Sequence, residues 1–142
     1  MAEFKRFIRR LEKSDEALLR SSQLIRKEAL TLIDEGFRTK TDPVGRKWAR
    51  RKSWYSLYLK RGGTPYPLMN KTLTLRQGWF VRVAKYACSF GNDAPYARWH
   101  QDSTRKMVAR KMIPDKRLSP KWRARIVKIL PQALKEHFRG RQ

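Results

Sequence analysis

The sequence predicts an α+β fold with N-terminal helices, a long basic loop, a small antiparallel β-sheet and a C-terminal helix. Apolar residues recur every three or four positions near both ends of the chain, strand-forming residues cluster in the middle, and turn residues separate these regions. With 142 residues, 40% of them hydrophobic, the chain should form one domain with a real core. We divide that domain into a helical region (1–35), an extended basic loop (36–67) and a region of strands and C-terminal helix (68–142).

The helical region is predicted to contain two helices. Apolar residues keep a helical spacing throughout, and no Gly or Pro occurs before Gly36. The Ser-Asp-Glu segment at 14–16 interrupts the apolar seam and has the composition of a helix N-cap followed by first-turn acids. We therefore expect a short helix over 3–13, a longer helix over 15–35 and a C-terminal stop at Gly36.

The loop region combines turn signals with alternating basic and aromatic residues. Asp-Pro-Val-Gly at 42–45 predicts a turn, and the Gly- and Pro-rich segment 62–67 closes the region. A structureless segment this long is uncommon in a compact domain and is usually functional. This segment is a candidate polyanion contact, because arginine and lysine neutralise phosphates and aromatic rings can stack on bases. An alternative is a solvated loop that Trp48 and Trp54 anchor to the core. The candidate polyanion or partner contacts are Arg46, Lys47, Arg50, Arg51, Lys52, Trp54, Lys60 and Arg61.

The middle of the chain predicts a pair of strands. Residues 79–84 and 86–90 are rich in β-branched and aromatic residues, and a Gly-Asn-Asp turn signal follows them. Asp93 is expected to cap a short helix over 94–100. The segment 107–113 could form a further strand.

A C-terminal helix should begin at Ser119 and Pro120. Serine is a favoured N-cap, and proline is tolerated at the first helical position because its missing N–H would be unpaired there anyway. Apolar residues then follow the helical period to Phe138. Pro131 should kink this helix or split off its final turn.

The charge of the chain points to anionic partners. Lys and Arg total 35 against 12 Asp and Glu, for a formal net charge of +23. Residues 1–35 hold eight basic and seven acidic side chains, so the remainder carries about +22. Such a field repels copies of the chain and attracts nucleic acid or acidic protein surfaces. A membrane partner is not expected, because no basic segment presents a clean bulky apolar face.

Enzyme chemistry has little support in the sequence. His100 and His137 are the only histidines, and the acids beyond residue 36 are widely scattered. No metal-binding or phosphate-cradling motif occurs, and the single Cys88 excludes an intrachain disulfide. We expect a protein that is not an enzyme and that uses no cofactor. A nuclease relying on Asp42, Asp93 or His100 is the disfavoured enzymatic alternative.

Several short motifs resemble the phage virion morphogenesis (tail-completion) family, which includes Mu-like phage neck and tail-completion proteins. Phe37 and the Thr-Asp-Pro-Val-Gly-Arg-Lys-Trp run at 41–48 match the pattern F…(T)DPxGxxW, and Tyr-Ala-Arg-Trp-His-Gln at 96–101 is similar to the family's YAxxHQ. Asp102 and Ser103 depart from the Phe-Gly that usually follows. The residues that match the family motifs are Phe37, Asp42, Pro43, Gly45, Trp48, Tyr96, Ala97, His100, Gln101 and Pro114.

The resemblance implies a structural subunit of a phage virion. Such proteins act in tail completion, as tail terminators or in the neck, as homo-oligomeric rings at the head–tail junction, and a hexamer is favoured. The implied partners are further copies of the chain, other neck, connector or tail proteins, and packaged DNA. Assembly would take place in the bacterial host cytoplasm. The alternative function is a non-specific nucleic-acid-binding module whose cations follow phosphates.

Overall fold

A computed structural model describes residues 2–69, 72–84, 87–105, 107–115, 117–129 and 131, with side chains from residue 19 onward except those of 84, 87 and 88. Helices and one antiparallel hairpin follow one another along the chain, which confirms the α+β class. The elements are α1 (Ala2–Thr39), α2 (Trp54–Lys60), α3 (Thr74–Gln77), β1 (Trp79–Ala84), β2 (Ala87–Asn92), α4 (Ala97–Gln101) and α5 (Pro120–Val127).

The N-terminal region is one helix of 38 residues, so the predicted break at 14–16 is wrong. At 1.5 Å per residue this helix is about 57 Å long. Ser and Asp cost only a fraction of a kcal/mol inside a helix, and only Gly or Pro would cost much more. An N-cap composition therefore does not start a helix unless the preceding residues leave helical geometry. Within the described residues, no helix is both long and apolar enough to span a bilayer.

Helix α1 ends at Thr39, so the predicted stop at Gly36 is also wrong. Lys40 takes the left-handed conformation with φ 58°, and the Thr41 N–H donates to the Gly36 carbonyl at 3.1 Å. This 6→1 bond is the mark of a Schellman cap, in which Gly36 supplies an acceptor and not the left-handed residue. The Lys40 ammonium also donates to the Phe37 carbonyl at 2.7 Å, which helps satisfy the open helix end.

The core lies where the C-terminal half of α1 packs against β1 and α5. Strands β1 and β2 form an antiparallel hairpin whose register runs from Trp79 opposite Asn92 to Ala84 opposite Ala87. Trp79 and Val81 are buried, whereas Phe80 and Arg82 are exposed, which is the period-two alternation of a half-buried strand. The prediction of two strands is confirmed, but β2 continues through Gly91 and Asn92, so the prediction that they form a turn is wrong.

The region 36–67 is more ordered than predicted. Seven of its residues form α2, and Thr41 pairs with Lys47 in an isolated antiparallel bridge. The aromatic rings of this helix contact one another, Trp54 with Tyr55 and Tyr55 with Tyr58, and none of its residues belongs to the main core. The segment therefore lacks the spacing of core-facing apolar residues that predicts a helix. The prediction of an irregular loop is wrong for 54–60.

Helix α4 begins later than predicted. Its N-cap position is Tyr96, and Asp93 does not cap it. The side chain of Asn92 accepts from the Ala94 N–H at 2.8 Å and donates to the Leu75 carbonyl at 2.9 Å. The local turn is therefore closed by Asn92, one residue before the predicted cap.

The segment 107–113 is not a strand, so that prediction is wrong. Instead, the Gln101 side chain accepts from the N–H groups of Met112 at 3.0 Å and Ile113 at 3.3 Å, and donates to the Ile113 carbonyl at 2.7 Å. One amide side chain thus gives the extended segment the hydrogen bonds that a neighbouring strand would supply.

Helix α5 confirms the predicted start. The Ser119 hydroxyl accepts from the Trp122 N–H at 3.4 Å, and Pro120 is the first helical residue. Trp122 is buried against Phe90 with ring centroids 5.9 Å apart. The regular helix ends at Val127, Lys128 forms a turn, and Ile129 and Pro131 are again helical, so the helix is interrupted before Pro131 and not at it. The rest of the predicted continuation, 132–138, lies outside the described residues.

Candidate functional site

The Asp-Pro-Val-Gly segment forms the predicted turn. The Asp42 carboxylate accepts from the N–H groups of Val44 at 2.9 Å and Arg46 at 2.8 Å, and the Gly45 N–H donates to the Asp42 carbonyl at 2.9 Å. Gly45 has φ 98°, where a side chain would be strained. Asp42 is therefore occupied in shaping the turn, which leaves Arg46 and Lys47 exposed on it.

Trp48 anchors this turn to the core, as predicted. Its ring meets Phe37 edge to face at 5.4 Å, and its indole N–H donates to the Lys111 carbonyl at 2.9 Å. The Ser119 hydroxyl donates to the Pro43 carbonyl at 2.6 Å. Motif residues from 37–48 are thus joined to the segment before α5, and their first role is to build the fold.

The second motif also lies in a connected unit. The rings of Tyr96 and His100 meet edge to face at 6.1 Å, as their four-residue spacing predicts. Ala97 is buried, and Gln101 joins α4 to the segment that runs into Pro114. Every residue of this motif is accounted for by packing or by a backbone hydrogen bond.

His100 is a partly buried titratable group in this region. Its carbonyl accepts from the Arg110 N–H at 2.8 Å, but its Nδ1 is buried with no hydrogen-bond partner among the described residues. Burial lowers the pKa of His100 below 6.5, and the nearby Arg110 charge lowers the pKa further. Both effects favour the neutral form of His100.

The Arg51 side chain packs within an aromatic cluster. Its guanidinium lies 3.9 Å from the ring centroid of Tyr55 and 4.6 Å from that of Tyr66, and it donates to the Tyr66 carbonyl at 2.5 Å. The Tyr66 N–H donates to the Tyr55 hydroxyl at 3.1 Å. Of the predicted polyanion contacts, Arg51 thus has a structural role, and so does Lys47, whose ammonium donates to the Thr39 carbonyl at 2.9 Å.

The other predicted contacts lie on the surface. Trp54 is 54% exposed, so the alternative that it anchors the loop to the core is wrong, whereas the same alternative is right for Trp48, which is 7% exposed. The remaining predicted cations are all exposed: Arg46, Lys47, Arg50, Lys52, Lys60 and Arg61.

A cavity of about 300 Å³ opens beside this basic surface. Its walls come from three separate parts of the chain. The lining residues are Arg50, Arg51, Lys52 and Trp54 in the first part, Tyr66, Leu68, Met69, Thr72, Leu73 and Leu75 in the second, and Tyr96, His100, Met107, Val108 and Arg110 in the third. Arg110 connects two of them, because its guanidinium donates to the carbonyls of Ala49 at 2.9 Å and Arg50 at 3.0 Å. We call this the Arg50–Arg110 cavity.

Sequence reasoning missed Arg110 and Tyr66 as parts of the site. Arg110 fell within the segment read as a strand, and nothing in its local pattern indicates bonds to residues some 60 positions earlier. Tyr66 stood in a Pro- and Gly-rich stretch read only as a turn. Both are brought to the cavity by tertiary contacts.

The chemistry of the cavity is cationic and aromatic. Arg50, Arg51, Lys52 and Arg110 line it together with Trp54, Tyr66 and Tyr96, and no carboxylate lies among its described lining residues. In the part of the chain that the structure describes, no group of three or more His, Cys, Asp or Glu residues is placed to hold a metal ion. The arrangement is suited to binding an anion that carries an aromatic or apolar part.

Comparisons with known protein families, curated proteins and solved structures gave no match to this chain.

Proposed function

We propose that this chain is a structural, non-enzymatic subunit of a phage virion, a tail-completion, tail-terminator or neck protein that forms a homo-oligomeric ring at the head–tail junction. The observation that carries the proposal is the convergence of the motif residues. Phe37, Trp48 and Pro43 are joined to the later part of the chain through Lys111 and Ser119. Motif residues that pack together as one unit support a fold shared with the phage virion morphogenesis family better than motif residues scattered over the surface would.

The charge distribution supports a position against packaged DNA. Six predicted cations are exposed on one stretch of 16 residues, 46–61, and the chain beyond residue 35 carries a net charge of about +22. A subunit of a neck ring lies next to the genome and to other rings. Cations exposed in this number favour an anionic neighbour.

Helix α2 supports contact with a further subunit. None of its residues is buried, although Trp54, Leu57 and Leu59 lie on it, and Leu57 is 49% exposed. Apolar side chains grouped on one surface helix mark an interaction site. In the proposed ring, favoured as a hexamer assembled in the bacterial host cytoplasm, a neighbouring copy covers Leu57 and Leu59 on this helix and leaves the Trp54 ring open.

Size measurement tests the ring. Light scattering and negative-stain images of the purified chain with neck or tail proteins should show closed rings. Leu57→Glu should abolish or strongly reduce ring formation, because it places a charge in the apolar contact. Ser56→Glu, the same charge on the same helix at an exposed polar residue, should reduce it much less. Equal behaviour of the two variants would remove α2 from the interface.

The position in the virion tests the function itself. Phage particles made without this chain should accumulate as separate heads and tails, and labelled copies of the chain should lie at the junction. Infectious particles with heads and tails normally joined in its absence would contradict the proposal.

A non-specific nucleic-acid-binding module is the alternative function, and the exposed cations at 46–61 favour it. Both functions include affinity for polyanions, so affinity alone does not separate them. A stable monomer in the presence of partner proteins, with DNA affinity that falls steeply with salt as its main property, would favour the alternative.

A further inference from the structure

The Arg50–Arg110 cavity carries a strong positive charge. Arg50 and Lys52 are exposed at its rim, and Arg110 is half-buried in its wall. No carboxylate among the described lining residues offsets these charges. A cavity of this kind favours an anion, because attraction to several cations offsets the free-energy cost of removing the anion from water.

The aromatic residues of the cavity are of two kinds. Trp54 is 54% exposed and offers its ring to an incoming group. Tyr66 is held in place by Arg51 and by the Tyr55 hydroxyl, so it is ordered before any ligand arrives. A preformed aromatic wall beside a more open ring is an arrangement that suits stacking on a flat ligand.

The walls also contain apolar groups that a simple anion would not use. Leu75 is buried, and Leu68 and Met107 line the same space. At about 300 Å³ the cavity is at the small end of ligand sites, which span roughly 300–1,000 Å³. A phosphate ion would meet the cations and leave the apolar walls uncovered. A nucleotide uses both, through its phosphate and its flat base.

Two of the three non-glycine residues with positive φ among the described residues line this cavity. Met69 and Leu73 line it, and both are non-glycine residues in the left-handed region, with φ 62° and 61°. Such residues cost free energy and are found more often at ligand clamps than elsewhere. His100 also lines the cavity, and its buried Nδ1 has no hydrogen-bond partner among the described residues.

We propose that the Arg50–Arg110 cavity binds one unpaired nucleotide of a single-stranded nucleic acid. The base enters between Trp54 and Tyr66, and the flanking phosphates lie on the exposed cations of the rim. A base-paired duplex keeps its bases stacked inside the helix and presents none to a recessed cavity. The inference goes beyond the proposed assembly role and does not rest on ring formation, because one subunit contains the whole cavity.

Binding of a fluorescent twelve-residue oligothymidylate tests the stacking residue. Trp54→Leu should weaken binding about tenfold or more, the loss expected for one stacked base. Trp99→Leu is the matched control, because Trp99 is also exposed, lies on a short helix beside an arginine, and does not line the cavity. It should weaken binding less than about twofold. Equal losses in the two variants would overturn the inference.

A charge reversal tests the rim. Arg50→Glu and Arg46→Glu change the net charge equally and replace exposed residues of the same segment, but only Arg50 lines the cavity. The Arg50 variant should lose severalfold more affinity for the oligothymidylate than the Arg46 variant. Equal losses would mean that the strand binds the general positive field of the surface, which contradicts the inference.

Competitors identify the ligand class. Unlabelled oligothymidylate should displace the probe at lower concentration than a duplex of the same length, while inorganic phosphate and polyglutamate should displace it weakly. A duplex or polyglutamate that competes as well as the single strand would overturn the inference.

Photocrosslinking of a bromouracil-substituted strand to the unaltered chain provides a test without substitutions. The crosslinked peptides should contain Trp54 or Tyr66, and crosslinks confined to other peptides would also overturn it.

Discussion

At the scale of single residues, Arg125 shows that some of the few acidic side chains of this basic chain pair with arginine inside the fold. Its guanidinium donates to Glu28 at 2.5 Å and to both oxygens of Glu35 at 2.6 and 2.7 Å, joining α5 to α1. The chain has only 12 acidic residues, and these two lie on the helix that carries the core. Paired charges of this kind hold the fold together while most other cations stay on the surface.

We predict that Arg125→Met destabilises the fold by about 1–2 kcal/mol, because it removes charge-assisted hydrogen bonds that are only partly exposed to solvent. Arg123→Met, two residues away at an exposed position, should change stability by less than about 0.5 kcal/mol. Urea unfolding at pH 7 measures both. The hydrogen bond from Arg125 lowers the pKa of Glu35 below 4.5, so this stabilisation should be lost as the pH falls through that range. A difference between the variants that persists unchanged at pH 3 would contradict this account.

His100 gives a second prediction at this scale. Burial and the Arg110 charge lower its pKa in the folded chain below 6.5, so the unfolded chain takes up the proton first as the pH falls. The stability of the fold should therefore decrease from pH 7.5 to pH 5.5. His100→Phe keeps a ring against Tyr96 and removes the titrating group, so its stability should decrease less over the same interval. Thermal unfolding at the two pH values measures this, and His137 remains as a common background in both proteins. An equal decrease would contradict the assignment to His100.

At the scale of elements, the sequence predicts those parts whose signals are local. The alternation at Trp79–Ala84, the Asp-Pro-Val-Gly turn and the Ser119–Pro120 helix start all depend on residues within a few positions of one another. The segment 107–113 was wrongly predicted because its hydrogen bonds come from Gln101 and not from a strand. The cavity could not be predicted for the same reason: its three walls meet only in the folded chain.

Helix α1 provides a prediction at the element scale. A continuous helix places residues 5 and 26 about 32 Å apart along its axis, since 21 residues rise 1.5 Å each. Spin labels on Lys5→Cys and Arg26→Cys, in a Cys88→Ser background, should give a single narrow distance distribution near this value. A second pair at Arg26 and Arg38 serves as the control inside the well-packed half. A short or broad distribution for the first pair alone would show that the helix breaks near 14–16, as the sequence pattern suggests.

At the scale of the whole molecule, the net charge opposes self-association of the chain, whereas exposed apolar surface favours it. The net charge of +23 repels further copies of the chain, whereas exposed apolar residues on α2 favour association. Salt weakens the repulsion between exposed charges, because the screening length falls from about 10 Å at 0.1 M to about 3 Å at 1 M. Apolar contacts are not weakened in this way. The balance between the two therefore depends on ionic strength.

We predict that the isolated chain self-associates more at high salt than at low salt. Sedimentation velocity in sodium chloride from 0.05 to 1 M should show a growing share of oligomers. A variant with three exposed cations neutralised (Arg117→Gln, Arg123→Gln and Lys128→Gln) should associate at lower salt than the natural chain, because its self-repulsion is smaller. Association that decreases with salt would indicate an interface held by ion pairs, and the apolar contact through α2 would then be wrong. If the prediction holds, a polyanion such as DNA should promote the same assembly at low salt, because it neutralises the charge that keeps the subunits apart.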